Sequence, residues 1–209
     1  MALTSKDYKE VIEIINLIYS ISERSAMILS VLEELQKLIP FNGAVFIPMD
    51  FKTHNFQPEG HVLLNESPES IHQFCSYYAP LNPFVIKGWH QNRVNEAVKI
   101  TDAISASRLI DTEYSRDYQS RFHAFYELGM SLGSQGDLTG VIGLHRPRQD
   151  RDFSDKDKEI MNFLIPHLSN ALHSINLMET ITSSKGVGMI YIDSDRNTLY
   201  MNDEARIFQ

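Results

Sequence analysis

The run from Ala124 to Arg146 is the strongest constraint on how this chain can fold. Ala124, Tyr126, Leu128, Met130 and Leu132 alternate with Phe125, Glu127, Gly129 and Ser131, and a second apolar run follows from Leu138 to Arg146. A period of two sends successive side chains to opposite faces of a strand. Ser134-Gln-Gly-Asp137 stands between the runs and has the residues a tight turn needs. Two strands joined in this way make an antiparallel hairpin, and the rest of the chain must cover it.

The preceding segments begin with a helical period. Tyr8, Val11, Ile12, Ile15 and Ile18 form a stripe over residues 5–22, widened by Ile14, Leu17 and Ile21. After the polar break at Ser22–Ser25, Ile28, Leu32, Leu35 and Ile39 mark a second helix that Pro40 ends. Gly43 to Asp50 is short, β-branched and aromatic and reads as a strand, with a weaker one over His61–Leu64. Pro68 opens a helix with Ile71, Phe74 and Tyr78, and the four-residue spacing of Ile110, Tyr114 and Tyr118 predicts another.

Ser154 is placed to cap a last long helix, with Asp155 and Asp157 in its first turn. Its stripe is Ile160, Leu164, Leu168, Ala171, Leu172, Ile175 and Met178; Pro166 predicts a kink because it removes the hydrogen bond to the Asn162 carbonyl. After Ser183-Ser-Lys-Gly186 the pattern restarts. Val187–Asp193 reads as a strand, Thr198–Met201 as another, and Asn202 as a helix cap. A lone hairpin with one helical turn cannot bury a core, so residues 183–209 read as the opening of a second domain after a first at 1–182.

The 209 residues suffice for one ordinary domain and its core. Cys75 is the only cysteine, which excludes an internal disulfide framework or a multi-cysteine metal site and points to a reducing compartment, the cytoplasm. No apolar run is long enough to span a bilayer, and the N-terminus lacks the pattern of a signal peptide, so we expect neither export nor a membrane anchor. A formal net charge of −8 disfavours direct nucleic-acid binding by these residues.

The eight histidines include no H-E-x-x-H pair. His167 and His173 do not share a helix face, because six residues turn about 600°, so no metal is expected. His123 and His145 stand at matching ends of the hairpin strands and are expected to form a structural hydrogen-bonded pair. Gly129-Met-Ser-Leu-Gly133 spells G-x-S-x-G, the turn that exposes the nucleophile of serine hydrolases. That turn needs a helix directly after the serine, whereas turn residues and another strand follow here. Ser131 therefore reads as part of a small-residue strand face that lets a helix or ligand come close; a serine hydrolase is the lesser alternative.

The order helix, helix, strand, loops, hairpin, long helix resembles a GAF domain, an α/β (α+β) module with a central antiparallel sheet. "PLNPF" (80–84), the Trp89 segment running to Val94, "TEYSRDY" (112–118), "YELGMSL" (126–132), "GLHRPR" (143–148) and "FSDKDKEIMNFLIPHLSNAL" (153–172) resemble, in that order, the GAF-like N-terminal half of bacterial LuxR-type transcriptional regulators. The tail "GVGMIYIDSDRNTLYMNDEARIF" resembles the start of a PAS-like segment. The resemblance implies a helix-turn-helix DNA-binding domain in a longer parent protein. The Asn-Lys-x-Phe-Asp-Glu pattern of cyclic-nucleotide-binding GAF domains is absent, and Cys75 is followed by Ser76 in place of the histidine of bilin-attachment sites.

GAF domains hold small molecules under the loops that cover one sheet face. Tyr78, Phe84, Trp89, Tyr114, Tyr118, His123 and Tyr126 are the candidate ligand-binding residues, with Asn82 and Arg121 as polar company. The expected partners are an unidentified small molecule and a second copy of the chain, joined through the terminal helices. No cofactor and no catalytic residue is assigned. The segment "RPRQDRD" (146–152) reads as a solvated loop, its arginines offset by Asp150 and Asp152. The rival to a sensor is a dimerisation or protein-interaction module without a ligand.

Overall fold

Thr4 starts the first helix by a reciprocal cap: its hydroxyl accepts from the Asp7 N–H (3.2 Å), and the Asp7 carboxylate accepts from the Thr4 N–H (2.7 Å). The computed structural model describes residues 3–50, 53–134, 137–183 and 188–207. Helix α1 (Ser5–Ser20) buries Val11, Ile14 and Ile18 and leaves Tyr8, Ile12 and Tyr19 exposed. The sequence stripe therefore splits in two, since one helix cannot turn all those residues inward. Helix α2 (Arg24–Leu38) begins inside the expected polar break, because the Glu23 carboxylate caps it through the N–H groups of Ser25 (2.9 Å) and Ala26 (2.6 Å).

Strand β1 (Gly43–Pro48) and strand β2 (Val62–Leu64) follow. The crossover to the hairpin is built from short helices: α3 (Pro68–Gln73), α4 (Pro83–Ile86) and α5 (Trp89–Asn92), then strand β3 (Ala97–Lys99), then α6 (Ile100–Ala103), α7 (Ala106–Leu109) and α8 (Ser120–Phe122). Phe74–Tyr78 and Tyr114–Gln119 widen into π-helical turns, which swing their aromatic side chains out of ordinary helical register. The predicted hairpin is β4 (Tyr126–Ser134) and β5 (Asp137–Arg146); Gln135 and Gly136 of its turn lie outside the described residues.

The five strands form one antiparallel sheet in the order β2-β1-β5-β4-β3. Strand β3 was not expected, since three residues carry no visible period. It is held by side chains as well as by its ladder: Asn162 accepts from the Ala97 N–H (2.9 Å), and Asn95 donates to the Gly133 carbonyl (2.7 Å).

Helix α9 (Asp155–Ser183) starts with Ser154 and Asp157 capping each other and runs on through Pro166. Ile160, Leu164, Leu168 and Leu172 are buried as the stripe predicts. Leu128, Leu132, Ile142 and Leu144 are buried on one face of the hairpin, and Phe125 and the cavity described below take the other, so both faces are covered.

The chain divides into two compact units, Met1–Leu172 and His173–Gln209. In the second, strands β6 (Ile190–Ile192) and β7 (Thr198–Met201) pair antiparallel and helix α10 (Asp203–Arg206) follows, capped by Asn202 through the Ala205 N–H (3.0 Å). Val187, residues 184–186 and Gln209, named in the sequence reading, lie outside the described residues. Ile190, Tyr191, Ile192 and Leu199 are exposed.

Candidate functional site

The two central strands meet at a pair of glycines. Gly129 of β4 is directly opposite Gly143 of β5, flanked in the same row by Val45 and Val98. With no side chain there, Phe84 reaches the sheet: a Cβ on Gly129 would stand 2.8 Å from its ring. Over this floor lies a cavity of about 60 Å³. Its walls are Phe56, Phe74, Phe84, Trp89, Tyr114 and Tyr118. One water needs roughly 10–15 Å³ of such space, so the cavity has room for a few waters or a compact ligand.

Local geometry fixes these walls. Asn82 caps α4 by accepting from the Phe84 N–H (2.7 Å) and donates to the Tyr114 hydroxyl (2.8 Å), which joins the two halves of the roof. Tyr114 and Tyr118 stack with centroids 5.3 Å apart; Tyr118 meets Phe74 at 5.9 Å and donates to the Ser70 carbonyl (3.3 Å). Phe84 and Trp89 stack at 6.3 Å, and Arg93 holds its guanidinium 4.4 Å over the indole while pairing with Glu96 (3.3 Å). Gly88, with φ of 66°, makes the left-handed turn between α4 and α5.

One end of the cavity is charged. His145 pairs through Nδ1 with the Glu66 carboxylate, their side chains 10% and 8% exposed, and Glu127 is directly across the ladder from His145. Burial by itself would lower the His145 pKa; the charge and hydrogen bond of Glu66 outweigh it, with help from Glu127, and hold the imidazole up at about 9. The imidazole is therefore a cation at neutral pH. Glu127 keeps some surface towards the cavity, yet its carboxyl is enclosed, and this burial raises its pKa above the usual carboxylate value against the pull of His145 and Asn82. Its hydrogen bond from Asn82 is long, 3.4 Å. Burial raises the Tyr114 and Tyr118 pKa values too, so both phenols stay neutral.

The structure brings Phe84, Trp89, Tyr114 and Tyr118 to the cavity. Tyr78 and Tyr126 pack behind it in the same aromatic cluster, Tyr78 with its ring 5.1 Å from Tyr118 and Tyr126 at 4.9 Å from Phe125. His123 is exposed, with φ of 55°, and borders a separate groove with Gln119 and Arg148. Its expected pairing with His145 gives way to the Glu66 contact, because the β5 alternation turns His145 towards β2 and the cavity. Arg121 pairs with Glu69 (2.7 Å) at the surface.

Ser131 is inside β4 opposite Val141, with strand on both sides, and lines the cavity. Burial pushes the Cys75 thiol up to about 11, with Glu59 adding to the effect. No group of three metal-ligating side chains occurs among the described residues, nor any helix long and apolar enough to cross a membrane.

Sequence reasoning missed the polar end of the cavity. The signal was available for Glu127 and His145, a charged residue and a histidine on the inward side of alternating strands, but Glu66 sits in a loop with no period to place it.

An antiparallel five-stranded sheet with helices over one face and an aromatic, partly charged cavity over the other defines an α+β module with a candidate ligand site. Residues 23–172 match the family model of the GAF domain, and the chain belongs to that family. No curated protein matches it in sequence. Among solved structures it is similar to the N-acylhomoserine lactone-dependent LuxR-family transcription factor CepR2 from Burkholderia cenocepacia, at 15% identity and a TM-score of 0.57 over 85% of this chain and 99% of that one. The GAF domain of an Acinetobacter phosphoenolpyruvate-protein phosphotransferase shares 14% identity at a TM-score of 0.57, over 84% and 97% of the two chains. The VqsR LBD domain from Pseudomonas aeruginosa shares 13% at 0.55, over 83% and 98%. At such identities the likeness is one of fold.

Proposed function

We propose that this chain is the small-molecule-sensing regulatory region of a LuxR-type transcriptional regulator, working in the cytoplasm without catalysing a reaction. The observation that carries the reading is the aromatic cavity over the Gly129–Gly143 pair, lined at one end by Glu127 and by His145, which Glu66 holds. The two facing glycines let Phe84 and His145 come down against the sheet, so that these side chains shape the floor of the cavity. The ligand-binding contacts fall to Phe84, Trp89, Tyr114 and Tyr118, with Tyr78 and Tyr126 behind them and His123 outside.

The longer parent protein carries a DNA-binding domain after a PAS-like segment that opens near residue 183. Ligand acts by population shift, favouring one packing of the short roof helices and, through them, of the terminal helices. The chain works as a homodimer: Tyr8 and Phe163 meet edge to face at 5.7 Å and, with Ile12, leave an apolar strip exposed on α1 and α9 for a second copy. Gel filtration with light scattering tests this, and a strict monomer at high concentration overturns it.

Native mass spectrometry of the purified protein, followed by thermal-shift screening of metabolites, tests the sensor reading. A bound small molecule, or a shift that Gly129→Val abolishes, is the expected result. The modest cavity size and the exposed strip favour one rival, a ligand-free dimerisation module, which a flat screen would support.

A further inference from the structure

The cavity's polar groups do not balance. Glu66 and His145 satisfy each other, and Glu127 is a second enclosed carboxyl with no cation of its own. Its partners are the long Asn82 bond, the neighbouring Tyr114 and a share in the charge of His145, fewer than the four acceptor positions of a carboxylate call for. His90, also in the wall, has its Nδ1 buried with no hydrogen-bond partner among the described residues; burial lowers its pKa, against a backbone hydrogen bond at Phe84 that raises it. Of the donors nearby, Asn82 is engaged with Tyr114 and Arg93 with Glu96 and the face of Trp89. Glu127 is thus left short of hydrogen-bond donors in an interior walled by aromatic side chains.

We propose that the cavity recognises a compact molecule carrying an ammonium or amidinium group, with Glu127 as counter-ion and the surrounding aromatic side chains as walls. This rests on the sensor reading above and names the class of its ligand. An ammonium brings three donors and no acceptor, which complements the Glu127 carboxylate, and its charge offsets that of Glu127, since Glu66 and His145 already pair. Aromatic faces attract a desolvated cation, as Arg93 over Trp89 already shows at the rim. A bound cation favours the ionised form of Glu127 against the burial that raises its pKa; the other groups facing this carboxyl are Glu66, His145, Tyr114 and Asn82.

Titration calorimetry with n-alkylamines from ethyl to hexyl, and with the alcohols and carboxylates of matching length, tests the proposal. Amines are expected to bind about tenfold or more tightly than the alcohols. Glu127→Gln should remove the preference while alcohols bind as before. Glu127→Asp, which keeps the charge, should retain it and guards against a folding artefact in the glutamine variant. Alcohols or carboxylates binding as well as amines, or a preference that survives Glu127→Gln, overturns the ligand class and leaves the sensor reading intact. Failure of all three series in a protein that folds normally also overturns the ligand class, and the metabolite screen then decides the sensor reading.

Discussion

Gly129 of β4 is directly opposite Gly143 of β5, and between them the sheet carries no side chain under the cavity. Phe84 occupies the space above Gly129 and is itself buried, so its ring cannot swing clear of a new methyl at 2.8 Å. Gly129→Ala is expected to cost about 1–3 kcal/mol through overpacking and to narrow the cavity. Urea denaturation measures the first, and an unchanged midpoint would show that Phe84 yields freely.

The pair of His145 and Glu66 predicts a pH dependence. The folded pKa of His145 is raised from 6.5 to about 9, so its stabilisation is complete below pH 6.5 and is lost as the pH rises through 9. Over that window the contribution is at most roughly 3 kcal/mol. Glu127, also raised in the folded state, adds a loss in the same direction as it ionises at lower pH. Denaturation midpoints between pH 6 and 9.5 should fall for the native protein and stay nearly level for Glu66→Gln. Equal slopes in the two proteins would mean that Glu66 does not hold the imidazole charged.

Much of the fold was legible because it rests on period. The hairpin, the two first helices, β1 and the long last helix each repeat over enough residues for one face to declare itself. Strand β3 did not, because its three residues are held by Asn95 and Asn162 from elsewhere. The aromatic walls were legible as a group, since Tyr114 and Tyr118 share a helical spacing and Phe84 and Trp89 stand in a Pro-punctuated stretch. The charged end was not, because Glu66 reaches His145 across 79 positions of sequence, a contact only the sheet order creates. The resemblance to GAF domains supplied the location of the cavity face, which no local pattern states.

Arg146 shows how far a surface-looking charge can be misread. It is 5% exposed; its Nε donates to the Pro40 carbonyl (2.6 Å), and Nη1 donates to the Asp152 carbonyl (3.1 Å). Nη2 donates to Asp157 (3.3 Å), and the guanidinium lies 4.0 Å over Phe153. The segment expected as a solvated loop is thus tied at its first residue to the end of α2 and the start of α9. Lysine cannot reproduce this fork, so Arg146→Lys should lower stability by about 2–4 kcal/mol. Thermal unfolding checks it; a melting temperature within a degree or so of the native protein would reduce these bonds to ornaments of the static structure.

Trp89, the single tryptophan, reports on the cavity directly. Its indole is stacked on Phe84 and capped by Arg93, so its emission depends on how tightly the roof is closed. Phe84→Ala removes a buried ring and should cost about 3–5 kcal/mol. It also joins the ring's volume to the cavity and lets solvent reach the indole. The emission maximum is expected to move to longer wavelength in the variant and to return on adding a ligand that fills the new space. The longer members of an alkylamine or alcohol series should gain most in affinity, because the cavity then has room for their chains. An emission spectrum unchanged by the substitution would place Trp89 outside the wall, and an unchanged chain-length preference would place the ligand outside the cavity.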